Sequence, residues 1–178
     1  MIMKKIFLPI CDYFCTRKRV LLKFIFPILC AGLFIALSFI IPITEDVDVM
    51  EIFSDFINAQ ISMIAIFISF SIAIISILVS ADNPNIQRLR NTESKDGSIK
   101  PIKGQQLTLF QVLLTNLTYN VFVEVLYLVA LIAFLIIRAV IPISVVRYLI
   151  AFNIFCVIHV LHILIETVVQ MYHTFWRA

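Results

Sequence analysis

Of the chain's 178 residues, 62% are hydrophobic and only 14% are charged, against about 45–50% and about 25% in soluble globular domains. Apolar surface on that scale needs an apolar solvent, which excludes a free-standing soluble domain and points to a membrane protein. The three glycines leave no glycine-rich phosphate cradle, and the net charge of +3 is less informative than where the charges lie.

Residues 1–23 form a basic, amphipathic segment, with Lys4, Lys5, Arg17, Lys18, Arg19 and Lys23 set among Ile6, Phe7, Leu8, Tyr13 and Phe14. Such a segment lies on the membrane surface beside the first span. The first apolar span covers 24–43. Its basic lead resembles a secretory signal, but no small-x-small cleavage site follows, and Leu29 before Cys30 argues against a lipoprotein signal. It reads as an uncleaved helix. Residues 44–55 carry Glu45, Asp46, Asp48, Glu51 and Asp55 and no basic residue, which suits an external loop. The second span covers 56–80, so 24–80 is a helical pair. Residues 81–107 are polar, with Asn83-Pro84, Gly97 and Gly104 marking loop structure.

The unit 108–178 holds the last two spans. A helical pattern runs from about Leu107 to Arg138, longer than a hydrocarbon core of about 30 Å at about 1.5 Å per residue. Pro142 then breaks the chain, and 148–176 is the fourth span, closing on Trp176 and Arg177 at an interface. The expected fold is all-α: a polytopic four-transmembrane-helix bundle of antiparallel helical hairpins. The cysteines Cys11, Cys15, Cys30 and Cys156 fall outside the external loops, so no disulfide framework is expected.

Twelve of the fourteen Lys and Arg residues lie in the N-terminal segment, the 81–107 loop and at Arg177; only Arg138 and Arg147 fall on the other side. This positive-inside bias places both termini and the loop in the cytoplasm.

Three spans carry polar stripes. On the fourth, His159, His162, Glu166, Gln170 and His173 share a sector of about 80°, as do Asn116, Asn120, Glu124 and Tyr127 on the third. Ionisable groups at this depth cost about 2.5–3.5 kcal/mol each on insertion scales, so they should face protein or water. Counted from Arg138 and Arg147 at about 1.5 Å per residue, Glu124 comes level with His159 and His162, and Glu166 with Asn120. The expectation is that Glu124 meets one of those histidines. The cluster Asn120, Glu124, His159, His162 and Glu166 suits interhelical hydrogen bonding, a proton relay or sensor, the lining of a pore, or a metal site. The spacing matches no metalloprotease helix, and no metal or other cofactor is assigned. On the second span Ser62, Ala65, Ser69, Ala73, Ser76 and Ser80 alternate by three and four residues, which suits close helix packing within the chain, a subunit interface, or a pore lining in an oligomer.

The loop's basic residues are Arg88, Arg90, Lys95, Lys100 and Lys103, mixed with Asp82, Glu93 and Asp96. They read either as a solvated connection or as a docking surface for a cytoplasmic protein; with no aromatic residue among them, direct nucleic-acid binding is not expected. No nucleophile has a base and an orienting acid near it, and there is no Walker or dinucleotide motif, so no enzyme is expected.

The second span running into Ile77-Leu78-Val79-Ser80-Ala81-Asp82-Asn83-Pro84-Asn85-Ile86, and the polar-edged third span with Asn116, Asn120 and Glu124, resemble the KwaA membrane subunit of bacterial Kiwa anti-phage systems. The resemblance covers the whole chain in layout, a layout shared with other small bacterial defence proteins such as retron membrane effectors. It implies a non-enzymatic membrane sensor or anchor that forms a homo-oligomer and holds a cytoplasmic partner, KwaB, which acts on phage DNA. Read from residues alone, the alternative is an oligomeric ion-conducting channel or depolarising effector.

Overall fold

The computed structural model describes residues 7–40, 48–94, 97, 99–102 and 104–176, with side chains described as far as Tyr172. Its helices are α1 (Leu8–Thr16), α2 (Leu22–Ile40), α3 (Val49–Ser80), α4 (Pro84–Asn91), α5 (Leu109–Ile137) and α6 (Ile143–Trp176), with a 3-10 turn at Arg138–Val140. Four of them, α2, α3, α5 and α6, are long and apolar enough to cross a membrane. The protein is therefore an all-α, multi-pass bundle.

Helix starts follow from local chemistry. Asp48 accepts hydrogen bonds from the Met50 and Glu51 amides at 2.9 and 3.1 Å. The Asn83 side chain accepts from the Ile86 amide at 2.9 Å, with Pro84 at the first helical position, where its missing N–H costs nothing. Thr108 and Gln111 form a reciprocal capping box that starts α5. The Asp48 cap shortens the external loop read as 44–55: Glu51 and Asp55 already lie on α3. With 32 residues, α3 is about 48 Å long and projects beyond the hydrocarbon core. The 81–107 segment likewise contains a helix, α4, which the turn signals around it concealed. Ile86 and Leu89 bury one face of α4 against Leu78, Leu113 and Leu117.

Within the bundle α5 is central, packing extensively on α3 and on α6, while α2 packs along α6. Consecutive α2 and α3 thus sit mainly against different partners, whereas α5 and α6 form an antiparallel hairpin. Helix α2 buries only Pro27, and most of its apolar side chains face outward. At the acidic end, Phe53, Ile57, Ile64, Tyr127, Leu131 and Val146 form one core. At the basic end, Tyr13, Val20, Tyr119 and Ile163 form another. Helix α1 packs beneath α5 rather than lying apart on the membrane surface.

Candidate functional site

The polar residues gather into two connected centres and one separate carboxyl. The first centre closes the basic end. Tyr13 of α1 is fully buried and stacks on Tyr119 of α5, ring centroids 3.9 Å apart and planes within 4°. Burial pushes the Tyr13 phenol well above its ordinary range, and the Glu166 carboxylate adds to the effect. Arg17, at the C-terminus of α1, is buried and donates to Asn116 Oδ1. Arg17 Nη1 also lies 3.6 Å from Glu166 Oε1, while the Lys23 ammonium pairs with Glu166 Oε2. Gln170 donates to Glu166 and accepts from Asn116 Nδ2 at 3.1 Å. Four elements therefore meet in one network: α1, α2, α5 and α6. Backbone pairing adds the loop, because Lys100 N donates to Thr16 O at 2.8 Å beside the Arg17–Ile99 bridge.

The second centre lies on α6. The His159 ring stacks on Phe24 at 4.5 Å, and its Nε2 is 3.1 Å from the Tyr119 hydroxyl. Because Tyr13 stacks on that same Tyr119, the histidine belongs to the scaffold that seats α1. Half-buried His162 lines a mostly apolar groove with Phe26, Ile165 and Glu166. No family model, no curated protein and no solved structure matches this chain. The site therefore has to be read from its own geometry.

Glu124 is the separate carboxyl, and it does not meet a histidine. Its Oε1 accepts from Asn120 Nδ2 at 2.7 Å and from Ser71 Oγ of α3 at 3.2 Å. The count along the helices concerns depth; rotation decided the partner. The residues Asn116, Asn120, Glu124 and Tyr127 do share a buried face, but that face follows the seam between α3 and α6 and is met by different neighbours along its length. Glu166 connects through Gln170 to Asn116, one turn from Asn120, a register that fits the expected level of Glu166 with Asn120; its charge is met by Lys23 and Arg17 of the basic N-terminal segment, partners that the count along α5 and α6 does not reach.

The stripe Ser62, Ala65, Ser69, Ala73, Ser76 and Ser80 is exposed along its whole length, so it does not pack within the chain. The hydroxyls of Ser62, Ser69, Ser76 and Ser80 bond carbonyls one turn back on α3. Of the basic loop residues, Arg88, Arg90 and Lys100 are exposed, and Lys95 and Lys103 lie outside the described residues. Arg90 is engaged structurally: its guanidinium stands 5.0 Å over the Phe110 ring and donates to Val79 O. Among the described residues no group of three or more His, Cys, Asp or Glu is placed to hold a metal ion, and the four cysteines are free.

Two contacts escaped sequence reading. Tyr127 donates to Asn153 Oδ1 at 2.8 Å, joining α5 to α6. A single Asn within an apolar run was the available signal. Arg138 donates to Ser54, tying the turn between α5 and α6 to α3. The sequence contains no cue for that pairing beyond the arginine's position at the end of its span.

Proposed function

We propose that the protein is a non-enzymatic membrane anchor or sensor that presents a folded platform to a cytoplasmic protein partner. The platform is α1, α4 and residues 99–102 and 104–107, and the positive-inside charge pattern supports a cytoplasmic position for it. One observation carries the reading. The basic segments are not slack connections but are tied to the spans, through Arg17 with Asn116 and Glu166, Lys100 with Thr16, and Ile86 and Leu89 in the core. A change in helix packing would move this surface as a unit, which is what a sensor needs in order to report a membrane event. The outer face of α4 offers Asn85, Gln87, Arg88 and Asn91, all exposed, with Lys100 beside α1. Layout resemblance to the Kiwa membrane subunit agrees with such a role, with KwaB as the partner and anti-phage defence as the setting.

Purification from native membranes should bring down a stoichiometric soluble protein. Arg88→Glu with Lys100→Glu should release it, and so should a Gly/Ser replacement of 85–103. Protein that is always recovered alone from native membranes would overturn the reading.

A second reading rests on the outward α3 stripe. Six small positions facing out of the chain suit close approach of another copy, and hydroxyl groups suit a wetted lining. An oligomer built on this face would be an ion-conducting assembly in a bacterial inner membrane. Liposome flux that is lost in Ser69→Leu supports it; absence of flux from reconstituted oligomers removes it.

A further inference from the structure

We propose that Glu124, Asn120 and Ser71 form a binding site for an alkali cation in the interior of the bundle, exchangeable with a proton. Glu124 occupies the central turn of α5, and both Glu124 and Asn120 are 0% exposed. The Ser71 hydroxyl and the Asn120 amide both donate to the same carboxyl oxygen, Oε1. Glu124 Oε2 and Asn120 Oδ1 are left buried with no hydrogen-bond donor among the described residues. Among the described residues no basic side chain pairs with the carboxyl. A bare carboxylate in such surroundings costs several kcal/mol, so its charge must be matched. A proton on Oε2 neutralises the group, with Asn120 Oδ1 as the vacant acceptor on the next turn of α5. A small cation held by the same two vacant oxygens would neutralise it equally, which is why proton and cation would compete for the site.

The ligand class follows from the donors. Every available atom is an oxygen, which selects a hard ion over a transition metal. The site supplies one negative charge, so a monovalent ion leaves it neutral, whereas a divalent ion would leave an uncompensated charge within hydrocarbon. Other titratable groups on the elements packed against α5 are engaged elsewhere or stand apart. On α6, His159 bonds Tyr119 and Glu166 pairs with Lys23, while His162 and Cys156 make no bond to Glu124. On α3, Glu51 and Asp55 lie at the acidic end; on α1, Tyr13 and Arg17 belong to the network at the basic end; on α4, Arg88 and Arg90 are exposed. The site is independent of any partner on the basic surface, so it stands or falls separately from the proposed function.

The test is carboxyl labelling of the full chain in nanodiscs with dicyclohexylcarbodiimide, which attacks protonated carboxyls in apolar surroundings. The adduct at Glu124 is read by mass spectrometry in choline, lithium, sodium and potassium chlorides at equal ionic strength, alongside thermal unfolding in the same salts. Sodium or another alkali ion should slow labelling and raise the melting temperature relative to choline. In the range where the proton holds the site, the half-protecting concentration should rise about tenfold for each unit of pH lowered. Glu124→Gln should abolish both the adduct and the salt-specific stabilisation, and Ser71→Ala should weaken protection while leaving Glu124 reactive. Identical labelling and identical melting in all four salts overturns the proposal, leaving a carboxyl neutralised by a proton alone. If Glu124 labels in no salt, the melting comparison in the unmodified chain decides, as it does if Glu124→Gln fails to fold.

Discussion

Replacing Glu166 with glutamine removes one charge from the network that seats α1 while preserving side-chain size. Arg17 would then keep Asn116 as an acceptor but lose the carboxylate 3.6 Å away, with its own side chain only 3% exposed. Removing one member of a fully buried ion pair costs about 3–5 kcal/mol, because the other charge stays desolvated. Here Glu166 and Lys23 are 22% and 16% exposed, so water can reach part of the pair. The expected loss is therefore about 2 kcal/mol. That corresponds to an approximately thirtyfold shift in the equilibrium between docked and released α1. Hydrogen exchange by mass spectrometry reads this directly. Amides near the end of α1 should exchange about thirtyfold faster in Glu166→Gln, since local opening governs their protection. The central turns of α5 should keep their wild-type rates. The double change Arg17→Met with Glu166→Leu should restore only part of the protection, because it removes the buried Arg17 charge but takes the Glu166 carboxylate from Lys23, which is 16% exposed. Unchanged exchange over 12–16 in Glu166→Gln would refute the view that this network holds α1 in place.

Other outcomes follow from single contacts. Tyr13→Phe should leave stability unchanged or slightly raised, because the phenolic oxygen has no hydrogen-bond partner among the described residues; Tyr13→Ala should cost at least about 3 kcal/mol by emptying the stack on Tyr119. Both are read from unfolding in mixed micelles. Tyr127→Phe should cost about 0.6–1.7 kcal/mol by stranding Asn153 Oδ1, and a double-mutant cycle with Asn153→Ala should recover that coupling. Asp48→Ala should cost about 1 kcal/mol and fray the first turn of α3, seen as faster amide exchange at 49–52. Ser69→Leu should leave the fold of a single chain intact, since the position is exposed, while changing the oligomer size measured by light scattering in detergent.

Chain chemistry alone determined that this is a four-span helical membrane protein. Runs such as 56–80 have no means of hiding their apolar surface in water, and the turn-forming residues Asn83-Pro84 and Pro142 mark where spans end. The same chemistry put Asn116, Asn120, Glu124 and Tyr127 on one buried face, because 3.6-residue periodicity is a local property. What only tertiary structure decided is which neighbour each group meets. Helical rotation and the choice of packing partner are set by side-chain fit summed over whole helices, and no short stretch of sequence encodes them. So Glu124 turned to Ser71 rather than to a histidine, the serine stripe turned outward, and Arg17 and Lys23 met the charge of Glu166.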